Sequence, residues 1–228
     1  MQVKIVNYSQ GVPGAFDGPT TITDQIAYCA RVSNSGNQNN WGTSKGLLRY
    51  LAKHKHWSPF EMVNVCLEIK TTRDIARQML RHRSFSFQEF SQRYADPTKE
   101  LAFEERDARM QDPVNRQNSI DCQDLELDAE WKYRQIKVMS EAENAYKWAI
   151  EKGIAKEQAR VVLPEGNTVS RLYMNGTLRS WIHYIALRCE HGTQREHIDI
   201  AVACGKEIKK IFPLINVVLE LYGDSVDP

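Results

Sequence analysis

The sequence predicts a mixed α/β (α+β) fold, a sheet flanked by long helices in one domain over residues 1–228. Three observations predict it. Val63, Val65, Leu67 and Ile69 alternate with Asn64, Cys66, Glu68 and Lys70, the period of a strand with one buried face. Val3, Ile5 and Val6 form a β-branched run beside polar Gln2 and Lys4, which predicts a first strand. Asp128 to Lys152 carries Trp131, Met139, Ala142, Ala145, Trp148 and Ala149 at helical spacing, with Gly153 as its stop, so a long helix packed through its aromatic residues is expected.

The remaining elements follow in order. Gly11-Val12-Pro13-Gly14 and Gly18-Pro19 break the chain into a loop. Thr21 or Thr23 caps a helix through Ile26, Ala27, Ala30 and Val32. Asn34 to Gly42 is polar and turn-rich, a surface loop, and a short amphipathic helix runs from near Thr43 to near His54. Thr71 or Thr72 caps a helix through Ile75, Ala76, Met79 and Leu80, with Arg77, Gln78 and Arg81 on its other side. Lys99 to Leu125 is a charged, polar excursion to which no chemistry is assigned. Glu157 to Leu163 is a short helix stopped by Pro164, and the last third is helical, with Leu178 to Arg188 as one helix.

Composition narrows the function. A chain of 228 residues, 42% hydrophobic and 26% charged, is long enough to bury a core. The formal net charge of +1 supplies no global field for nucleic acid or membrane, so any anion is held by a local patch. The five cysteines, Cys29, Cys66, Cys122, Cys189 and Cys204, are odd in number, form no CxxC and follow no signal-peptide pattern. Reduced thiols in a cytoplasmic protein are therefore expected. No apolar run approaches a membrane span. His54 and His56 stand two apart without a third ligand at useful spacing, so no metal is expected.

The local patch lies between Thr71 and Tyr94. Arg73, Arg77, Arg81, Arg83 and Arg93 stand there against Asp74 and Glu89, an excess of three positive charges. All are arginine, whose fork matches phosphate and carboxylate. A solvated helix face is the plain alternative. Arg77 and Arg81, however, stack like charges four residues apart, which is unfavourable without an anion between them. With Ser, Gln and Glu interleaved, the patch suits a nucleotide, while Phe85, Phe87 and Phe90 read as core or interface.

Several segments resemble the flavin-dependent thymidylate synthases, the ThyX family. Arg81-His82-Arg83, seven residues and Ser91, followed by Arg93-Tyr94, is similar to their RHR-x7-S motif. His56-x-Ser58-Pro59-Phe60-Glu61, Ala30-Arg31-Val32-Ser33 and Glu157-Gln158-Ala159-Arg160-Val161-Val162-Leu163-Pro164 are similar to further segments. Arg179, His183 and Arg188 match a helical pattern whose asparagine is replaced here by Thr177, with Asn175 two residues earlier, and either can serve. Gln194-x-Glu196 matches a common family pair. The resemblance implies a mostly antiparallel central sheet and the methylation of dUMP to dTMP. Methylenetetrahydrofolate would be the carbon donor, NADPH the reductant and FAD the bound cofactor. It assigns Ser58, Arg81, His82, Arg83, Glu89, Thr177, Arg179 and His183 to the flavin. It assigns Gln78, Arg81, Glu89, Ser91, Arg93, Arg160 and Arg188 to the nucleotide, with Arg188 beside the pyrimidine as the catalytic residue. A homotetramer with sites between subunits, acting on small molecules, is implied as well.

The helix geometry agrees with that assembly. At about 100° per residue Arg179 and His183 share a face, while Arg188 lies opposite Arg179; if both sets touch ligands, one straight helix would serve two pockets, most simply in an oligomer with sites between subunits. The rival readings are a flavin enzyme delivering hydroxymethyl to a pyrimidine nucleotide, a nucleotide-binding protein without catalysis, and a nucleic-acid binder using the arginine patch.

Overall fold

The computed structural model describes residues 1–15, 18 and 21–223; Pro19 of the first loop lies outside them. In chain order the elements are β1 (Gln2–Tyr8), α1 (Ile22–Ala30), α2 (Ser44–Lys53), β2 (Asn64–Thr72), α3 (Arg73–Met79), β3 (Phe85–Glu89) and α4 (Pro97–Glu100). Then come β4 (Arg109–Gln111), β5 (Ser119–Asp121), α5 (Leu125–Glu151), α6 (Lys156–Ala159), β6 (Val169–Thr177), α7 (Leu178–Arg188), α8 (Arg195–Lys209) and α9 (Ile215–Gly223). Single 3-10 turns sit at Ser35–Asn37, Trp41–Thr43, Ser58–Met62 and Arg160–Val162.

Four strands form one sheet in the order β1-β2-β6-β3, and every neighbouring pair is antiparallel. One face is apolar. Val65, Leu67 and Ile69 of β2 lie across from Gly176, Met174 and Leu172 of β6, and Phe85 and Phe87 of β3 continue the layer. The core forms where this face meets Ile26, Leu48, Trp181, Ile185, Ile200 and Phe212 from the helices. Burying that layer is the dominant stabilising term. The opposite face exposes Ser86, Gln88, Tyr173 and Asn175, so the helices cover one side of the sheet rather than flank both.

Local rules set the element ends. Thr21, rather than Thr23, caps α1 by accepting from the Asp24 N–H, and Val32 lies beyond the helix and exposed. Asp124 caps α5 by accepting from the Glu126 and Leu127 N–H groups at 3.0 Å each. Gly153, at φ 80°, ends α5, and the Ile154 N–H closes the turn onto the Ala149 carbonyl at 2.9 Å.

Two expectations are corrected, and the excursion after residue 98 gains internal structure. The last third is not wholly helical, since β6 crosses the middle of the sheet. The excursion after residue 98 carries the β4–β5 hairpin and two arginines that pair with Asp74 and Glu196. The two tryptophans of α5 are not packed within this chain: Trp131 and Trp148 are 46% and 57% exposed, and the aromatic residue the helix buries is Tyr146, beside Ala142 and Ala149.

Candidate active site

The arginines fall into three groups, each held by a different part of the scaffold. The first surrounds a cleft of about 370 Å³ lined by Arg73, Arg77, Gln92, Glu157, Arg160 and Glu165, among others. α3 supplies Arg73 and Arg77, the turn after β3 supplies Gln92, and the 3-10 turn after α6 supplies Arg160. Arg73 reaches Glu89 at 3.5 Å and Glu165 at 3.4 Å, and Arg77 also pairs with Glu165. Arg93 pairs with Glu157 at 3.1 Å. Arg160 has no ion pair among the described residues, so one guanidinium facing the cleft is uncommitted. Gln92 is 4% exposed and its Nε2 has no acceptor. A buried donor without an acceptor costs roughly 1–3 kcal/mol, so the cleft wall holds an unmet donor. Glu89 is held by the Ser170 hydroxyl, which donates to it at 2.7 Å. Ser91 accepts from the Arg93 N–H at 3.4 Å and shapes the turn.

The second group lies at the C-terminal end of α7. Arg188 Nε donates to His82 Nε2 at 2.9 Å, so His82 is neutral with its proton on Nδ1. Burial, then the charges of Arg188 and Arg81, bring His82 from 6.5 down to about 4. Its ring stands edge-on to Tyr184 with centroids 4.9 Å apart. Tyr184 meets His197 Nε2 at 3.0 Å, and His197 Nδ1 meets Gln78 Oε1 at 3.2 Å. Arg81 and Arg83 flank His82 and are exposed.

The third group lies at the N-terminal end of α7. Thr177 caps the helix, accepting from the Ser180 N–H at 3.1 Å, and its hydroxyl is also 3.0 Å from Ser180 Oγ. Asn175 shares the strand's outward face and is exposed. Arg179 pairs with Glu61 of the Ser58–Met62 turn, and Ser58 is exposed at the head of that turn. His183 lies between Trp57 and Tyr222, with centroids 5.2 and 5.0 Å away. Burial and Arg179 lower its pKa while Glu61 opposes them, and its buried Nε2 has no partner. An orphaned ring nitrogen beside a polar Arg–Glu pair fits the polar rim of an aromatic cofactor.

The arginine cleft and four further cavities are lined by neither Arg179 nor Arg188. The structure brings Arg160 to Arg73 and Arg77, Arg188 to His82, and Arg179 to His183, but leaves the three groups apart. Sequence reasoning missed Glu61, Gln92, Glu165 and His197. Glu61 and Gln92 sit inside recognised motifs; the other two were marked only by lying near arginine or Gln78 in space.

The family model described as "Thymidylate synthase complementing protein" matches residues 20–214. The chain is 48% identical over 96% of its length to a probable flavin-dependent thymidylate synthase of Paramecium bursaria Chlorella virus 1, covering 99% of that protein. It is 52% identical over 89% of its length to the flavin-dependent thymidylate synthase of a Synechocystis strain, covering 91% of it. Among solved structures, a UMP/dUMP methylase, PolB, from Streptomyces cacaoi bound with 5-Br dUMP superposes with a TM-score of 0.78 at 26% identity, covering 99% of this chain and 97% of that one.

Proposed function

This chain belongs to the flavin-dependent thymidylate synthase family, and we propose that its three arginine groups are the parts of one composite site. The reaction is the reductive methylation of dUMP to dTMP, with methylenetetrahydrofolate as carbon donor and NADPH as reductant. FAD, when bound, relays the reducing equivalents.

Within that site the nucleotide phosphate enters the cleft of Arg73, Arg77 and Arg160, with Arg93 and Ser91 at its edge. The unmet donor of Gln92 beside an uncommitted Arg160 is the observation that carries this assignment. The phosphate would take over from Glu165 and Glu157 as the partner of Arg77 and Arg93. Arg188 stands beside the pyrimidine. Carbon 5 of uracil is a poor nucleophile, and a guanidinium at the ring stabilises the negative charge that activates it. His82 engages only Nε of Arg188, so both terminal nitrogens stay available to the ring. The Cys189 thiol is exposed, but partial desolvation raises its pKa, which favours the protonated form. Ring activation in this scheme uses the cation and needs no thiol.

The flavin is held by Arg179, His183 and Ser58, with Arg81, His82 and Arg83 from the turn after α3. Thr177, whose hydroxyl also caps the helix, or the exposed Asn175 makes the contact expected of a family asparagine. Because α7 points Arg179 and Arg188 to different partners, neighbouring subunits complete each site, most simply in a homotetramer. The exposed apolar residues of α5, with Leu125 82% and Trp148 57% accessible, supply surface for that contact. The whole chain then acts as one domain. No described helix is long and apolar enough to cross a membrane, and all five cysteines are unpaired, which suits a cytoplasmic enzyme. Release of tritium from dUMP labelled at carbon 5, dependent on FAD, NADPH and the folate, tests the function; absence of release from flavin-loaded protein would refute it.

A further inference from the structure

We propose that Glu196, acting through Gln194, and Tyr184, acting through His197, lock the Gln78 amide in one of its two orientations and thereby set the preference for uracil over cytosine. The inference rests on the reading of Gln78 as a nucleotide contact.

A glutamine amide is nearly symmetric in shape but not in chemistry, because turning it over exchanges a donor for an acceptor. Gln78 sits on α3, half-buried, one turn before Arg81. Its Oε1 lies 3.2 Å from His197 Nδ1, and its Nε2 lies 2.8 Å from Gln194 Oε1. Gln194 Nε2 is 2.9 Å from Glu196 Oε2, and Arg109 donates to the other carboxylate oxygen. Beyond His197, its Nε2 is 3.0 Å from the Tyr184 hydroxyl.

The ends of this chain decide its direction. A guanidinium only donates and a carboxylate only accepts. Gln194 must therefore turn its NH2 to Glu196 and its carbonyl to Gln78. Gln78 must turn its NH2 to Gln194 and its carbonyl to His197. His197 must then carry its proton on Nδ1, which leaves Nε2 to accept from Tyr184. The charge states agree. Burial, then Arg188 and His82, bring His197 down to about 4, and burial raises Tyr184 well above its ordinary range. The ring of His197 is fully buried, where one reversed member would leave like groups facing each other.

Gln78 retains one N–H and one carbonyl lone pair, and the relay fixes which is where. Uracil presents an acceptor at O4, whereas cytosine presents a donor at N4. An amide locked in one orientation therefore matches one base and opposes the other. Glu196, Gln194, His197 and Tyr184 are positioning residues in this scheme, since they act through Gln78.

The test measures equilibrium binding of dUMP and dCMP to the FAD-loaded full chain, with flavin content and melting temperature recorded for every variant. Gln78→Leu is expected to weaken dUMP about tenfold or more. Gln194→Met and His197→Leu are expected to cut the dUMP-over-dCMP preference about tenfold, with flavin content retained. His197→Asn, whose amide N–H stands in for Nδ1–H, is expected to restore most of that preference. Should His197→Leu fail to fold, Gln194→Met decides, because Gln194 is half-exposed. Unchanged preference in Gln194→Met and His197→Leu beside a weakened Gln78→Leu overturns the relay and leaves the nucleotide contact standing. Wild-type dUMP binding by Gln78→Leu overturns that contact, and the relay with it. Loss of preference in His197→Leu without recovery in His197→Asn assigns the effect to packing and also overturns the proposal.

Discussion

Arg188 and Cys189 are chain neighbours with opposite prospects. The guanidinium is oriented by His82 and keeps its fork free; the thiol is exposed, with a pKa raised above its ordinary value. Arg188→Ala is expected to lower the rate of dTMP formation by about two to three orders of magnitude, while Cys189→Ser stays within about twofold of wild type, both measured with saturating FAD. Residue-scale electrostatics also predicts a pH response. His82 and His197 each titrate near 4 in the fold, against 6.5 in the unfolded chain. Below about pH 6.5 the unfolded chain takes up protons that the native state refuses, so stability falls as pH drops from about 6.5 toward 4 and is insensitive to these two groups above that window. Urea midpoints at pH 7.5 and 5.5 check it: the lower-pH midpoint is expected to be smaller, and the gap should narrow in His197→Asn. The sequence motifs pointed to arginines well, because a guanidinium is charged wherever it sits. They did not point to Gln92 or His197, whose importance comes from burial beside other chain segments.

Among the elements, β2 and α7 were readable because each carries a clean period. β6 was not. Only Leu172 and Met174 are large apolar residues on its buried face, where Ser170 and Gly176 are the other members. The small residue has a reason. A Cβ on Gly176 would stand 2.4 Å from the Phe85 ring of β3. Gly176→Ala is expected to destabilise the fold by about 1–3 kcal/mol, seen as a lower denaturant midpoint at unchanged m-value. β3 itself alternates Phe85 and Phe87 with Ser86 and Gln88, a strand period that the surrounding arginines masked. Thr177 ends β6 and starts α7 in one residue. Thr177→Ala is expected to cost about 1 kcal/mol and Thr177→Ser almost nothing, because the cap hydroxyl survives only in the second. Wild-type stability of Thr177→Ala would remove the cap from the account.

At the scale of the whole molecule, one sheet face is packed and the other is open, and α5 carries exposed tryptophans along a helix of 27 residues. The sheet and its apolar layer followed from patterns within the chain. The one-sided packing did not, since periodicity shows that a face is polar without showing what meets it. The same limit applies to the site. Arg179 and Arg188 share α7 but engage Glu61 and His82 respectively, and in the proposed composite site a second copy supplies their joint use.

Subunit complementation tests that requirement most directly. Arg179→Ala and Arg188→Ala chains, each inactive alone, are co-expressed in equal amounts and the mixed oligomer is assayed for dTMP formation. If each site draws these two arginines from different chains, about a quarter of the sites recover both, and activity returns to about that fraction of wild type. A mixed oligomer as inactive as its parents, with both chains present and flavin bound, would place the two arginines in one chain's site and contradict the composite architecture.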